Sequence, residues 1–325
     1  MKHLLIKCIV ASVVCLIGML NCFEKEVVKD NLELLSSTTE FSDELFFAYP
    51  KYIADTGVSL VITDLNDSKI VEVDYSGKLI RTYGQKGRGP GEYLMPSNPI
   101  MANDLLYISD AGNAKILTFE SNGSFNNEIK ISDPILEFTT NGEYLYAFTF
   151  NSVDDRLIKK YSMNGEFINS FGKLETTEET SLNNITKLVI YNNELWVLHL
   201  YFPILKIYSL DGELIQKYNL SNAFDYSERF NQSKEKPKYS NVSGQKVIYQ
   251  SITMNKDGIY LGIYDPSNNN IIADHFNFDV IPITRYRYTS NDEKIYHFHS
   301  VLVDSTLYVA GADTEPGLFI FNKTD

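Results

Sequence analysis

The chain has few of the residues that crosslink small proteins or carry out catalysis. Three of its 325 residues are cysteines, and Cys8, Cys15 and Cys22 all lie near the N-terminus. It has five histidines and one tryptophan, and no G-x-S-x-G motif to present a nucleophilic serine. Lys and Arg number 29 against 42 Asp and Glu, which gives a formal net charge of -13. Because such a surface repels nucleic acid and anionic headgroups, we expect no nucleic acid partner and no membrane binding through charge.

Long hydrophobic runs are also scarce, and the most prominent one lies at the N-terminus. Lys2 and Lys7 precede the apolar run Ile9 to Leu20, which is well short of the ~20 residues that a membrane-spanning helix needs. This pattern predicts a signal peptide and export. Cys22 follows the run, and the segment resembles the processing site of bacterial lipoproteins, although Leu20 and Asn21 depart from the usual small residues. The competing candidate, Cys15, lies inside the run and would leave too short an apolar core.

The lipoprotein resemblance implies an anchored envelope protein. Residues 1–21 would be the signal peptide, Cys22 the lipid attachment site and residues 22–40 a flexible tether, with the outer membrane as the expected location. The charged residues after Cys22 resemble those of Bacteroidota lipoproteins, in which such residues favour display at the cell surface. Removal of residues 1–21 lowers the charge to -15 and leaves one cysteine, itself lipidated, so no intramolecular disulfide is expected.

A glycine-rich segment marks the first structural unit. The stretch YGQKGRGPGEYLMP, from Tyr83 to Pro96, places four glycines within eight residues and cannot continue a strand or a helix. No Gly-Lys-Ser/Thr follows it, which argues against a phosphate-binding loop. The next residues, NDLLYISDAGNAKILTFESNG, predict two antiparallel strands joined by a polar turn. The segment therefore reads as a tight crossing between two sheets.

The strand that follows this crossing recurs along the chain. Six units align as SLVITD, LLYISD, YLYAFT, ELWVLH, GIYLGI and TLYVAG, with central residues Val61, Tyr107, Tyr146, Trp196, Tyr260 and Tyr308. Successive central residues are 46, 39, 50, 64 and 48 positions apart, close to the ~40 to 50 residues of a propeller blade. We expect these six side chains to be buried between neighbouring blades. Each unit is followed by a second strand, and four of these strands end at a glycine turn, at Gly77, Gly123, Gly165 and Gly212.

These repeats resemble the NHL-type and TolB-like six-bladed propellers, whose blades share the Gly-Pro-Gly-Glu crossing, the L-Y-V-x-D strand and the I-x-V-F return. The resemblance implies an all-β fold, a six-bladed β-propeller of four-stranded antiparallel blades over residues 41–325. The sixth unit lacks an outer strand, so an N-terminal strand is expected to complete it. The segment Glu44 to Ala54 is the candidate, and the alternative is that it forms the innermost strand of the first blade. The longest spacing predicts a rim loop at Ser221 to Gln245.

Candidates for chemistry are weaker than the fold signal. The position after the repeated strand holds Asp64, Asp110, Thr149, His199, Ile263 and Gly311. Asp64 and Asp110 are better explained by turn hydrogen bonds than by metal binding. His297 and His299 lie two apart and are weak candidates for a metal site. We expect no cofactor, with Ca²⁺ on the propeller axis as the alternative, and three or more inward carboxylate, Asn or His side chains there would favour an enzyme.

Two segments that contain arginine and aromatic residues are candidates for ligand binding. Arg285 and Arg287 alternate with two tyrosines and would share one strand face, which suits an anionic or carbohydrate ligand. The inserted loop carries Tyr226, Arg229 and Phe230, residue types that dominate protein interfaces. The favoured hypothesis is a lipid-anchored, non-enzymatic binding module for an envelope protein or a glycan. The alternatives are a lactonase-like hydrolase or lyase with an axial metal or His/Arg site, and a structural envelope component.

Overall fold

The structure, a computed structural model, describes residues 28–43, 45–149, 156–175, 184–233, 247–265, 270–289, 296–312 and 316–323. The described chain begins with strand β1 (Val28–Thr38), followed by the short antiparallel pair β2 (Glu40–Ser42) and β3 (Leu45–Phe46). From there the chain forms six blades in sequence order.

The first four blades are four-stranded antiparallel sheets whose strands follow one another along the chain. Blade 1 contains β4 (Pro50–Asp55), β5 (Leu60–Asp64), β6 (Lys69–Val73) and β7 (Leu79–Thr82). The short parallel pair β8 (Gln85–Lys86) and β9 (Glu92–Tyr93) lies in the glycine-rich crossing. Blade 2 contains β10 (Pro96–Ala102), β11 (Leu105–Asp110), β12 (Lys115–Glu120) and β13 (Phe125–Lys130). Blade 3 contains β14 (Ile135–Thr140), β15 (Tyr144–Thr149), β16 (Arg156–Ser162) and β17 (Phe167–Lys173). Blade 4 contains β18 (Thr186–Tyr191), β19 (Glu194–His199), β20 (Ile204–Ser209) and β21 (Leu214–Asn219).

Blades 5 and 6 are joined into one eight-stranded sheet by β1. Blade 5 contains β22 (Ser251–Asn255), β23 (Gly258–Asp265), β24 (Asn270–Phe276) and β25 (Pro282–Thr289). Blade 6 contains β26 (Tyr296–Val303), β27 (Thr306–Ala312) and β28 (Gly317–Lys323), with β1 as its outer strand. The predicted six-bladed, four-stranded architecture is therefore confirmed.

The closing strand differs from the one the sequence suggested. Leu32 to Thr38 of β1 pair antiparallel with β28, and Val28 to Asn31 pair in parallel with β25. The segment proposed as the closure instead supplies β4, the innermost strand of blade 1, which was the stated alternative. Residues 28–38 therefore belong to the ring and not to a flexible tether. Apolar and polar residues alternate too irregularly in this segment for the sequence to predict a strand. The strand forms because β1 pairs with β25 on one edge and with β28 on the other.

The two ends of the ring differ in their connections. The hairpins from first to second strand and from third to fourth strand of each blade lie at one end, here called the hairpin face. The turns from second to third strand and the crossings between blades lie at the other end, the connection face. Four hairpins of the third and fourth strands turn at the predicted glycines, whose φ angles are 85°, 91°, 83° and 93° for Gly77, Gly123, Gly165 and Gly212. β1 starts beside the beginning of β25, so the chain enters the ring from the hairpin face.

The core consists of hydrophobic clusters between neighbouring blades, six in the described part of the chain. The six aligned central residues all lie in these clusters and are at most 5% exposed, as predicted. Trp196, for example, packs from blade 4 against blade 5. Sheet-to-sheet packing of this kind explains why each repeat needs its neighbours.

The insertion between blades 4 and 5 is partly helical and partly buried. It begins with a 3-10 turn (Leu220–Asn222) and an α-helix, α1 (Tyr226–Ser233), and residues 234–246 lie outside the described part. Leu220, Ala223 and Tyr226 belong to the cluster between blades 4 and 5. The beginning of the insertion is thus part of the core, which corrects the prediction that a rim loop begins at Ser221. No helix within the described ranges is long and apolar enough to cross a membrane.

Candidate functional site

The innermost strands of the six blades enclose a cavity on the ring axis. β4, β10, β14, β18, β22 and β26 contact one another in a closed circle. The cavity has a volume of about 330 Å³, and every one of these strands contributes to its lining. This is about twice the ~150 Å³ of an engineered cavity that holds benzene, and it falls at the lower end of the range for small-molecule sites.

The wall of the cavity is largely aliphatic. It includes Ile53, Ile100, Leu188, Val189, Ile252, Met254, Val301 and Leu302. The lining extends to the last residues of the innermost strands, such as Asp55 and Asn255, so the cavity lies toward the hairpin face. At the opposite end, which we call the floor, four innermost strands contribute polar side chains, those of Asn98, Glu137, Lys187 and His299.

The floor contains a buried ion pair from two adjacent blades. Lys187 Nζ lies 2.8 Å from Glu137 Oε2, and both residues are largely buried. Lys187 also lies over the ring of Tyr52, 4.7 Å from its centroid. Asn98 donates to the carbonyl of Phe138 at 2.7 Å and hydrogen-bonds the Glu137 carboxylate. Burial raises the pKa of Glu137, while the charge of Lys187 and the hydrogen bonds from Lys187 and Asn98 oppose this.

His299 completes the floor from blade 6. Burial, aided by the positive charges of Lys187 and Lys51, holds the pKa of His299 well below its ordinary value, so the ring is neutral near pH 7. A backbone hydrogen bond with Ile53 favours the charged form, which means that the ring donates it. Nδ1 is buried and has no hydrogen-bond partner among the described residues. In the neutral ring this nitrogen is therefore an acceptor that a ligand hydroxyl or amine could satisfy.

The hairpins at the mouth end of the cavity carry acidic residues, of which Asp55 also lines the cavity. Each of the six hairpins between first and second strands carries one, namely Asp55, Asp104, Glu143, Glu194, Asp257 and Asp304. Among the described residues none of these six takes part in an ion pair. Asp55 accepts hydrogen bonds from Gly57 N and the Tyr75 hydroxyl. Lys256 is the single basic residue of these hairpins.

The residues after the repeated strands are structural, as the sequence suggested. Asp64 accepts from four backbone amides, those of Ala48, Tyr49, Asn66 and Asp67, and thereby links a crossing to a turn. Asp110 does the same in blade 2, accepting from Leu94, Met95 and Gly112. At the equivalent place in blade 4, His199 is fully buried, and burial together with nearby Lys206 lowers its pKa to about 3. Neither nitrogen of His199 has a partner within the described structure.

Two predicted binding residues lie in a buried network beside blade 5. Arg285 Nε and Nη2 each lie 2.7 Å from an oxygen of Asp274, and Nη2 also contacts Asp225 Oδ1 at 2.7 Å. The Tyr226 hydroxyl donates to Asp274 Oδ2 at 2.6 Å. Arg285 is 5% exposed and Tyr226 is fully buried, so neither is available to a ligand. The predicted role of these two residues in binding is replaced by a structural one, because the insertion folds over them.

The other candidates are dispersed. Arg287 lies on the same strand as Arg285 but is only half-buried, and it pairs in register with Asn31 of β1. Arg229 and Phe230 lie in α1 and His297 lies in β26, with side chains outside the described part. Cys22 also lies outside the described residues. Of the proposed binding and metal residues, His299 is the one that the structure places in the axial cavity.

The sequence analysis missed the polar residues of the floor and the acidic mouth. The positions compared follow the repeated strand, whereas the floor residues lie on the innermost strand, which precedes it. Bulges at Lys51, Asn98 and Leu136 shift the register of three innermost strands, so their equivalent positions do not align in the sequence. The mouth acids carry a readable signal, since each lies two to six residues before the central residue of its repeat. No group of three or more His, Cys, Asp or Glu side chains within the described ranges is arranged to hold a metal ion.

Comparisons with known proteins agree with this architecture. The structure is similar to a predicted exported protein of Bacteroides fragilis, with a TM-score of 0.64 and 12% identity over 92% of this chain and 100% of that one. A Bacteroides thetaiotaomicron protein of unknown function gives a TM-score of 0.57 and 12% identity over 90% of this chain and 76% of that one. Virginiamycin B lyase from Staphylococcus aureus gives a TM-score of 0.52 and 12% identity over 90% of this chain and 99% of that one. At these identities the likeness concerns the fold alone.

Sequence comparison identifies the family. No curated protein matches the chain. Residues 38–280, three quarters of its length, match the family DUF5128, described as a 6-bladed beta-propeller. The chain therefore belongs to the DUF5128 family of six-bladed β-propellers.

Proposed function

We propose that this propeller is a lipid-anchored binding protein of the cell envelope that takes its ligand in the axial cavity. The observation that carries the proposal is the cavity itself, which has an aliphatic wall and a floor of Asn98, Glu137, Lys187 and His299. A concave site that combines apolar side chains with convergent polar groups is the usual form of a small-molecule site. The partner expected from the sequence, an envelope protein or a glycan, stays a prediction, and a side chain or a sugar unit would enter by the same mouth.

Filling the cavity should abolish ligand capture. Val189 lies on the wall, so Val189→Phe would place a ring in the cavity at an overpacking cost of about 1–3 kcal/mol. Ile80 is 44% exposed on β7, the outer strand of blade 1, so Ile80→Phe introduces the same ring far from the axis. Mass spectrometry of small molecules that copurify from membrane extracts should show a compound on wild type and Ile80→Phe that is missing from Val189→Phe. Equal recovery of the compound from all three proteins would contradict the proposal.

The anchor of the proposed function is Cys22. Cys22→Ser should move the protein from the membrane fraction to the soluble fraction and remove its acyl chains, because the negatively charged ring has no electrostatic attraction to anionic lipid. Cys15→Ser is the matched control and should remain in the membrane fraction. Unchanged membrane association of Cys22→Ser would exclude the anchor, and protease accessibility on intact cells would test surface display in the outer membrane.

A short connection would hold the hairpin face near the membrane. Val28 is six positions after Cys22, and covalent geometry limits the span between them to about 20 Å. Since β1 enters the ring at the hairpin face, the cavity mouth would lie on the membrane side of the protein. A ligand or partner would then meet the mouth close to the lipid surface.

The second candidate function is a hydrolase or lyase at the same cavity. It is favoured by Asn98, Glu137 and His299, three inward side chains of the types that we set as a criterion for an enzyme, and by the free Nδ1 of a neutral imidazole. A neutral histidine at a cavity floor can accept a proton from a bound substrate. Turnover of lactones or esters that falls at least ~100-fold in His299→Asn would favour this candidate. Equal turnover by both proteins would exclude a role for His299.

A further inference from the structure

The mouth and the floor of the axial cavity have different chemistry. The floor balances one carboxylate, Glu137, against Lys187 at 2.8 Å, with Lys51 close by. The mouth carries six carboxylates and one Lys on its hairpins. Four of these carboxylates, on Asp104, Glu143, Asp257 and Asp304, belong to exposed residues. The strongest net charge around the cavity is therefore negative and lies at its entrance.

Carboxylates around a low-dielectric cleft act together. The cavity wall concentrates the field of the surrounding charges, which raises the local concentration of ions of opposite sign. These six residues come from six different blades, so their charges surround the axis and do not form a cluster on one loop. An anion that entered this mouth would be repelled, whereas a cation would be attracted. The aliphatic side chains of the inner wall, such as Ile100, Val189 and Ile252, suit an apolar body for the rest of the ligand.

We propose that the axial cavity binds an organic cation, an aliphatic amine whose ammonium group lies at the acidic mouth and whose hydrocarbon body packs against the inner wall. This inference rests on the proposed function, in which the cavity is the ligand site. Three or four residues of each innermost strand line the cavity, which gives a depth of roughly 10 Å. A straight chain of eight carbons suits that depth, and the unpaired Nδ1 of His299 would accept from a hydroxyl or amine at the far end of a longer ligand.

Three probes with the same tail test the proposal. Octylamine is cationic at pH 7, octan-1-ol is neutral and octanoate is anionic. Isothermal titration calorimetry on the wild-type protein in 20 mM salt should give octylamine a Kd about tenfold or more below that of octan-1-ol, with octanoate the weakest of the three. The preference for octylamine should shrink at 0.5 M salt, where the Debye length falls below ~5 Å.

Charge-neutralising variants assign the preference to the mouth. Asp104→Asn, Asp257→Asn and Asp304→Asn are combined in one protein, and Asn tolerates the left-handed φ of 61° at Asp104 and 52° at Asp304. This variant should bind octylamine and octan-1-ol equally. Glu120→Gln, Glu166→Gln and Glu213→Gln remove the same charge from the outer hairpins of the same face, and this control should keep the preference.

The outcomes separate the two proposals. If no octyl probe binds, or if Val189→Phe binds them as well as wild type does, the cation inference is wrong. The proposed function fails separately, if the copurifying compound is recovered equally from Val189→Phe and wild type. If octan-1-ol and octanoate bind as tightly as octylamine, and binding is lost in Val189→Phe, the cavity is the site but the cation inference is wrong. If both triple variants lose the preference equally, net charge and not the mouth determines it, which also overturns the inference.

Discussion

Arg285→Ala is expected to destabilise the ring by about 3–5 kcal/mol, because it leaves the carboxylate of Asp274 buried without a charge partner. Asp274 is fully buried, and Arg285 contacts both of its oxygens. Burial opposes the charge on Arg285, but the hydrogen bonds and charge of Asp274, followed by those of Asp225, hold its pKa above the ordinary value. Arg285 also packs over Phe224 at 4.6 Å, so blade 5 and the insertion lose contact together. Urea unfolding should show a lower midpoint with an unchanged slope.

The neighbouring arginine provides the control. Arg287→Ala removes the same side chain two residues along β25, where the residue is half-buried and takes part in no ion pair among the described residues. We expect a change below about 1 kcal/mol, typical of a surface position. Similar destabilisation by both variants would mean that the buried network does not provide the stability that we assign to it.

Removal of β1 should open the ring. A protein that begins at Glu40 lacks the strand that pairs with both β25 and β28, so blades 5 and 6 lose their connection and Leu32 leaves the core. Each hydrogen bond of the ladder contributes about 0.5–1.5 kcal/mol net, so we expect a loss of several kcal/mol and a larger hydrodynamic radius. A protein that begins at Val28 should match the full mature chain in both measurements.

A peptide of residues 28–38 offers a complementary test. If β1 closes the ring as a strand, the added peptide should bind the protein that begins at Glu40 and raise its urea midpoint in a concentration-dependent manner. A scrambled peptide of the same composition should have no effect. An unchanged midpoint for the protein without β1 would show that the ring closes without it.

The architecture could be predicted because every repeat carries the strand and turn pattern of one blade. Val61, Tyr107 and Trp196 occupy equivalent positions in their units, and each had to be buried wherever two blades meet. Asp64 and Asp110 were interpreted correctly as turn residues because their partners lie nearby in sequence or one crossing away. Local patterns of this kind depend on strand period and turn chemistry, which short stretches of sequence carry in full.

The closing strand and the binding candidates could not be interpreted in the same way. β1 pairs with strands some 250 residues away, and nothing in its own sequence distinguishes it from a tether. Arg285 and Tyr226 were interpreted as exposed because charged and aromatic residues in a polar segment usually are. Their partners, Asp274 and Asp225, come from a strand and an insertion that only the folded ring brings together.

The sequence by itself determined the number of blades, the order of their strands and the residues buried between them, since each repeat encodes its own strand period and turns. Tertiary structure alone decided which strand closes the ring, which charges are buried and what lies on the axis. The axial cavity takes a few residues from each of six blades, and its floor joins Glu137, Lys187 and His299 across up to 162 positions of sequence. No single repeat contains that arrangement, because it exists only where six strands converge.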